Sequence, residues 1–408
     1  MKRVAFKTIG CRLNQAETAT IAARFLAAGY TVVPFEAPCD VAVIHSCTIT
    51  QKAEKTSLRA VRTLKRRSPA PIVALIGCAV EIAGERIKEK SGADLVLDQN
   101  RKYDLPVLIA RNTPHPDTVT PYFKTTRALV KAQDGCSFHC AYCIVPSARG
   151  PARSRPFQDV VDDVTRLTRA GHREIVLTGA NLGTFSSGGK TLVDLVAAVE
   201  HVPEVARIRL SSIELSTTEK AILDYMAQSE KLCRFLHLPL QSGDDLILQR
   251  MRRSYSSREY RHFVEYALGR VPNLGLGTDI IVGFPGETAA SFQNTCAMVR
   301  DLPFSNLHVF PFSPRPGTPA ANLPDDVPPE TKRKRAKQLI DMGQDKRNEF
   351  ARRFFGQSVS VLVESLSPHG DATGWTNEYV RARIHCSDLK PNDIVDFCPT
   401  DFREHHLV

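Results

Sequence analysis

Cys136, Cys140 and Cys143 stand in a C-x3-C-x2-C spacing. Thiolates are the protein ligands of iron–sulfur clusters, and a four-iron cube ordinarily takes four of them. Three close cysteines leave one iron open to chelate the amino and carboxylate groups of a small molecule. The alternative is a structural zinc site with His139 or a distant group as fourth ligand. Zinc loops usually come as paired knuckles, however, and no second knuckle lies nearby. His139 reads as a spacer. Tyr142, one residue before the last cysteine, is placed to pack on an adenine or on ordinary core.

A second set, Cys11, Cys47 and Cys78, is dispersed, yet each member follows an apolar run (residues 4–9, 41–44 and 72–76) by one to three residues. If these runs are strands of an open parallel sheet, their ends share one edge, where ligands gather. Gly10 and Gly77 directly precede two of the cysteines and permit a tight backbone turn. The three thiolates can then converge on a second cluster. Otherwise they are small buried hydrophobes, the reading given to Cys39, Cys233, Cys296, Cys386 and Cys398.

The elements that must carry these residues follow from the pattern of apolar runs. Over the first ~110 residues short apolar runs alternate with amphipathic stretches, predicting a parallel α/β sheet whose fourth strand is near residues 94–97. Residues 111–127, with Pro114, Pro116 and Pro121, read as a linker. Six further runs at 129–133, 174–178, 207–211, 235–240, 276–282 and 306–312 are separated by helix-length stretches, which predicts a partial or closed (β/α)6 barrel. The first cysteine loop follows the first of these strands, at the carboxyl end where barrel active sites form. Seven prolines between Pro311 and Pro329 end the series, and a basic helix is predicted over 331–355. Short runs at 358–364, 379–384 and 394–397 fit a small antiparallel barrel. The expected domains are therefore 1–112, 125–330 and 356–408, joined by the helix at 331–355.

Composition is that of a soluble globular chain of 408 residues, 42% hydrophobic and 24% charged. Neither a signal peptide nor a membrane span is expected. A cytoplasmic protein with eleven cysteines points to metal or redox chemistry rather than disulfides. Residues 356–408 hold four Lys/Arg against eight Asp/Glu, so about +14 of charge falls on residues 1–355 of the +10 chain. That excess suits a polyanion such as nucleic acid, or serves solubility alone. Lys332, Arg333 and Arg335 with Arg352 and Arg353 are the expected electrostatic footprint, with Arg62–Arg67 as a second basic stretch. Arg149 is placed to pair a carboxylate or phosphate, or to be solvated. No coiled-coil seam is present, and a monomer is the default.

The run Cys136-Ser-Phe-His-Cys140-Ala-Tyr-Cys143 resembles the radical S-adenosylmethionine superfamily. The segments Thr8-Ile-Gly-Cys-Arg-Leu-Asn14, Ser46-Cys47-Thr-Ile-Thr50 and Ile76-Gly-Cys78 resemble the N-terminal motifs of the methylthiotransferases within it. His45 departs from that family, where an asparagine commonly stands. The resemblance implies two [4Fe–4S] clusters, S-adenosylmethionine as cofactor, and an electron donor such as flavodoxin or ferredoxin. It implies that Gly179 and Asn181 lie near the cofactor's methionine end, Ser212 and Glu214 near the ribose or sulfonium, and Gly283 and Phe310 near adenine. Gly374-Trp-Thr-Asn-Glu-Tyr-Val380 resembles the small RNA-binding TRAM barrel, making Trp375 and Tyr379 candidates for base stacking. The motifs around Cys11, Leu177–Gly183 and Gln241–Asp245 look most like the branch that inserts a methylthio group at C2 of N6-threonylcarbamoyladenosine 37 in tRNA. Isopentenyladenosine 37 is the runner-up substrate, and a ribosomal-protein aspartate fits less well. From another class, an iron–sulfur-sensing RNA-binding protein is the competing expectation.

Overall fold

The computed structural model describes all residues except Glu85, 111–113, 116–119, Lys124 and Ser387. Pro116 of the expected linker therefore lies outside the described residues. The chain is a mixed α/β protein with an N-terminal parallel sheet, a central partial barrel and a C-terminal, mainly antiparallel sheet.

The first sheet contains β1 (Arg3–Thr8), β2 (Thr31–Val33), β3 (Val41–Ser46), β4 (Ile72–Gly77) and β5 (Leu95–Leu97), in the order β2-β1-β3-β4-β5 with every pair parallel. Its faces are covered by α1 (Arg12–Ala27), α2 (Gln51–Lys65), α3 (Cys78–Ala83), α4 (Arg86–Ser91) and α5 (Leu105–Ile109). Ile21 and Phe25 of α1 pack on one face, and Val61 and Leu64 of α2 on the other. β3 is buried throughout because it is central and covered on both faces. β2 is absent from the sequence reading; three residues on an edge give too short a pattern to detect.

The barrel strands are β6 (Arg127–Lys131), β9 (Glu174–Thr178), β10 (Arg207–Leu210), β11 (Phe235–His237), β12 (Gly275–Val282) and β13 (Asn306–Pro311). A short ribbon, β7 (Gln133–Asp134) with β8 (Arg153–Ser154), brackets the cysteine loop. The loop itself contains α6 (Val145–Arg149), and then α7 (Phe157–Arg169), α8 (Leu192–Glu200), α9 (Lys220–Gln228), α10 (Asp245–Arg250), α11 (Ser257–Arg270) and α12 (Ala289–Asp301) complete the β/α alternation. Ladders join β6, β9 and β10, and β11, β12 and β13. A parallel bridge between Ile208 and Leu232 brings the two sets together. No ladder joins β13 back to β6 among the described residues, so the barrel is open on that side, where α1 packs against β6.

Side chains alternate along each strand. Val130, Leu177, Leu210, Leu236 and Ile280 belong to the main core beneath the helices. The interior therefore receives Lys131, Thr178, Arg209, His237 and Asp279, a polar set. This is the outcome expected of an enzyme barrel that admits a polar ligand rather than one filled with aliphatic layers.

The long helix α13 (Pro329–Arg352) leads to β14 (Val359–Leu366), β15 (Asp371–Thr376), β16 (Arg381–His385), β17 (Ile394–Phe397), β18 (Phe402–Arg403) and β19 (His406–Leu407), in one sheet ordered β17-β14-β15-β16-β19-β18. The sequence reading missed β15, whose Gly374 breaks the apolar alternation. That glycine is required, since a Cβ would fall 2.0 Å from the Leu362 carbonyl oxygen. No helix among the described residues is long and apolar enough to cross a membrane.

Candidate active site

The loop bearing Cys136, Cys140 and Cys143 is folded by backbone bonds rather than by its own side chains. Cys136 N donates to Gly150 O at 3.0 Å, Cys143 N to Cys140 O at 3.0 Å, and Ala141 N to Met251 O at 2.9 Å. Gly135 makes this packing possible: its φ is +68°, and a Cβ there would meet the Pro151 carbonyl oxygen at 2.0 Å. His139 is exposed, in keeping with a spacer. Burial raises the Cys136 thiol pKa and pushes Cys143 up to about 12. Cluster ligation needs the thiolates, so iron must displace those protons.

Around the loop the structure assembles residues from four elements. Arg253 donates from Nη1 to Cys140 Sγ at 3.1 Å and to Tyr142 Oη at 3.3 Å, and its Nη2 pairs with Glu214. Tyr255 braces Arg253 from below, accepting from its Nη2 at 2.9 Å while donating to the Pro239 carbonyl at 2.8 Å. Asn181 Oδ1 accepts from Glu214 N at 3.1 Å and Thr217 Oγ1 at 3.0 Å, while Gln133 Oε1 accepts from Asn181 N at 3.0 Å. Two buried atoms in this frame have no partner among the described residues, Asn181 Nδ2 and Glu214 Oε1. A buried donor and a buried acceptor left open are costly unless a ligand satisfies both. Gly179 lets the Gln133 side chain close on this frame, since a Cβ there would lie 2.7 Å from Gln133 Oε1. These features fit a small polar molecule with amino, carboxylate or hydroxyl groups, as S-adenosylmethionine has.

A cleft next to the loop is lined by Tyr142, Cys143, Gln241, Asp279, Ile281 and Phe310, with Ile49 and Thr50 on its other wall. Its mixture of an aromatic pair and aliphatic side chains suits a planar base. Gly283 does not line it. At φ +69° the chain has turned away from the strand, and a Cβ there would meet the Lys332 stem. Ile281, two residues earlier, takes that place. Ser212 is set deeper and approaches His237 Nδ1 at 3.3 Å.

The turn before Cys11 lies against Cys47: a Cβ on Gly10 would touch Cys47 Cβ at 2.7 Å and Sγ at 2.8 Å. Burial pushes the Cys78 thiol up to about 12. Cys47 and Cys78 are buried and Cys11 is exposed, so the site is closed behind and open in front. Among the described residues, the one His/Cys/Asp/Glu group with ligand atoms within 4.8 Å of one another is His237, Asp279 and His308. Neither cysteine trio brings its three sulfurs within 4.8 Å of one another among the described residues. Cys233 and Cys296 are buried, whereas Cys398 is exposed and therefore not the packing residue expected from its type.

Arg149, which the sequence left between an ion pair and solvation, joins the two halves of the site. It is buried, pairing with Asp134 at 2.9 Å and Glu17 at 3.2 Å and donating to Asn14 Oδ1. Glu17 also accepts from Lys102 at 2.6 Å and Lys131 at 3.0 Å, with both its own and the Lys102 side chain almost fully buried. Although burial opposes ionisation, these cations hold Glu17 well below the usual carboxylate range. His45 donates or accepts with Thr18 at 2.9 Å, and burial, despite Glu17, lowers it to about 3. It is therefore a neutral packing residue behind Cys47. The residues that sequence reasoning missed are Arg253, Gln133, Glu17 and Lys102. Only Glu17 lay in a recognisable motif; the others come from segments with no pattern of their own.

The expected RNA-binding set is redrawn. Lys332 and Arg335 are buried, Lys332 paired with Asp325 at 2.5 Å and Arg335 with Glu287, because that face of α13 packs on the barrel. Arg333, Arg352 and Arg353 are exposed. Trp375 and Tyr379 are half-buried and stacked on one another at 4.3 Å, with Arg127 and Arg381 against Trp375. They do not form an open platform, since their turn plugs the base of the barrel: Arg207 donates to Trp375 O at 2.9 Å and Arg209 to Thr376 O at 3.1 Å.

Comparison with known proteins agrees with this geometry. Residues 130–299 match the radical SAM superfamily, and residues 3–98 match "Uncharacterized protein family UPF0004". The chain is 34% identical over 380 residues to the threonylcarbamoyladenosine tRNA methylthiotransferase MtaB of Aquifex aeolicus, covering 88% of this chain and 92% of that protein. It is 33% identical to the enzyme of that name from Bacillus subtilis, over 93% and 90% of the two chains. A tRNA-2-methylthio-N(6)-dimethylallyladenosine synthase of Polynucleobacter asymbioticus is also 34% identical, over 91% and 88%. Among solved structures, the radical S-adenosylmethionine methyltransferase TsrM of Kitasatospora setae superposes with a TM-score of 0.56 at 14% identity, covering 78% of this chain and 77% of that one. The cysteine loop, its polar frame and the matches over both parts of the chain lead to one conclusion: the protein belongs to the methylthiotransferase family of radical S-adenosylmethionine enzymes.

Proposed function

We propose that the protein inserts a methylthio group at C2 of N6-threonylcarbamoyladenosine 37 in tRNA. The observation that carries this reading is the shared cleft, with Tyr142 and Cys143 from one cysteine loop on one wall and Ile49 and Thr50, next to Cys47, on the other. The cofactor's adenine seated there would lie between Cys143 and the segment that follows Cys47. Cys136, Cys140 and Cys143 hold one [4Fe–4S] cluster, and Cys11, Cys47 and Cys78 hold the second. When bound, the clusters and S-adenosylmethionine supply the hydrogen-abstracting radical, the sulfur and the methyl group.

The chain's own residues do the rest. Glu214 and Asn181 offer the open carboxylate oxygen and amide to the cofactor's polar end, and Tyr142, Ile281 and Phe310 would line the place of its adenine. Arg253 opposes the burial that raises the Glu214 pKa and holds the cysteine loop in register with it. The target base must leave its stack to reach the barrel interior beside the cofactor. Residues 1–112, 125–330, 331–355 and 356–408 then divide the work as sulfur-delivering domain, radical barrel, connecting helix and RNA-side barrel. Exposed Arg333, Arg352 and Arg353 and the basic face of α2 meet the tRNA backbone. The protein works in the cytoplasm as a monomer, with a flavodoxin- or ferredoxin-type reductant.

Nucleoside mass spectrometry of tRNA from a deletion strain tests the substrate. The 2-methylthio form of threonylcarbamoyladenosine is expected to disappear while that of isopentenyladenosine remains; the reverse overturns the assignment. An RNA-binding sensor is separated by cofactor turnover, since it would release no 5′-deoxyadenosine.

A further inference from the structure

Inside the barrel, Arg12 lacks an acid partner among the described residues. Arg12 extends from the first turn of α1 into the open side of the barrel, where its Nη2 donates to Tyr379 Oη at 3.1 Å and its guanidinium lies 5.8 Å from that ring. No carboxylate pairs with it among the described residues. Its neighbours are matched: Arg127 with Glu364 at 2.7 Å and Arg209 with Glu174 at 2.9 Å.

Arg12 directly follows Cys11, and a chain of packed side chains leads from this corner to the cleft. Tyr379 packs on Phe235 at 4.7 Å, and Phe235 and His237 share the interior face of β11. His237 and His308 bond Asp279 at 3.1 and 3.2 Å, and Asp279 lines the cleft beside Tyr142 and Phe310. Gly277 lets the Phe235 ring pack against β12, since a Cβ there would lie 2.8 Å from it. A nucleoside whose base lies in the barrel interior beside the second cysteine set can direct a long polar N6 substituent to Arg12.

We propose that Arg12 is the specificity residue of the enzyme, pairing with a carboxylate carried on the N6 substituent of the target adenosine while Tyr379 fixes the guanidinium. This rests on the reading of the substrate given above and adds which group of it the chain recognises. An apolar N6 substituent would leave the cation enclosed and unpaired, which excludes it by the cost of desolvation rather than by size. The guanidinium keeps further N–H groups for a carboxylate beyond the one held by Tyr379.

The test uses the enzyme reconstituted with iron and sulfide and three anticodon stem-loop RNAs. They carry threonylcarbamoyladenosine, its methyl ester or unmodified adenosine at position 37. The wild-type protein is expected to bind the acid about tenfold or more tightly than the ester, and Arg12→Gln to bind the two alike, with Arg12→Lys between. Iron per chain equal to wild type shows that the variant is folded and loaded. If Arg12→Gln keeps the acid preference, or loses affinity equally for acid and ester, the assignment of Arg12 is overturned and the substrate reading stands. If the wild-type protein does not prefer the modified adenosine over the unmodified one, the substrate reading fails and this assignment with it. Should Arg12→Gln lose its iron, Tyr379→Phe decides, since it removes the phenol and keeps the ring. An unchanged acid-to-ester ratio in that variant overturns the proposal.

Discussion

Arg253 touches a cysteine of the radical loop, Tyr142 and Glu214 with one guanidinium. Removing it strips the cation from Glu214 Oε2, while Oε1 is already without a partner among the described residues. For Arg253→Met this should cost about 3–5 kcal/mol of stability, read from urea unfolding of the metal-free protein. Equilibrium dialysis of the reconstituted variant should show weakened S-adenosylmethionine binding, because the carboxylate that accepts the cofactor would protonate. A variant with wild-type stability and wild-type cofactor affinity would contradict the role given to Arg253.

At the scale of elements, the turns after β1 and β4 place the cysteines. Gly10, at φ +109°, brings β1 to α1 with no room for a side chain against Cys47. Gly10→Ala is therefore expected to lose the second cluster and keep the first, so that iron per reconstituted chain falls by about half. A full complement of iron would refute the close approach. Helix α13 shows how one basic run divides into two roles. Its Lys332 and Arg335 lock the helix to the barrel, while Arg333 faces solvent. Arg335→Met should lower stability by about 3 kcal/mol or more by stranding Glu287. Neutralising Arg333, Arg352 and Arg353 should leave stability alone and weaken tRNA binding. The slope of log affinity against log salt should also flatten, by about 1 for each phosphate no longer neutralised.

The whole molecule is held in register by a buried charge network. Arg149 from the barrel loop meets Glu17 and Asn14 of α1, with Asp134, Lys131 and Lys102 in the same cluster. Arg315 adds a second tie from the end of the barrel, donating to Thr48 at 2.8 Å and pairing with Glu54 at 2.5 Å. These bonds fix the N-terminal sheet on the open flank of the barrel. Arg149→Ala should cost about 3 kcal/mol, toward the low end because Lys102 and Lys131 still neutralise Glu17. Limited proteolysis should then release the N-terminal sheet sooner than in the wild type. Equal cleavage rates would place the coupling elsewhere.

The sequence by itself determined the chemistry and the class of fold. The C-x3-C-x2-C loop, the shared position of Cys11, Cys47 and Cys78 after three strands, and the repeated β/α alternation are local patterns, set by ligand spacing and by side-chain period. Tertiary structure alone decided which charges are solvated and which are spent inside. Lys332 and Arg335 look like surface cations in a basic run, yet they sit on the face of α13 that the barrel covers. Arg253 carries no local signature, and the roles of Arg12 and Arg149 are not legible in their own segments, because each acts through partners from distant ones. The Trp375–Tyr379 turn reads as an exposed aromatic motif and becomes a plug, since burial depends on what the rest of the chain brings to it. Charge and aromatic type are properties of a residue. Their use is a property of the neighbours, and only the folded chain supplies those.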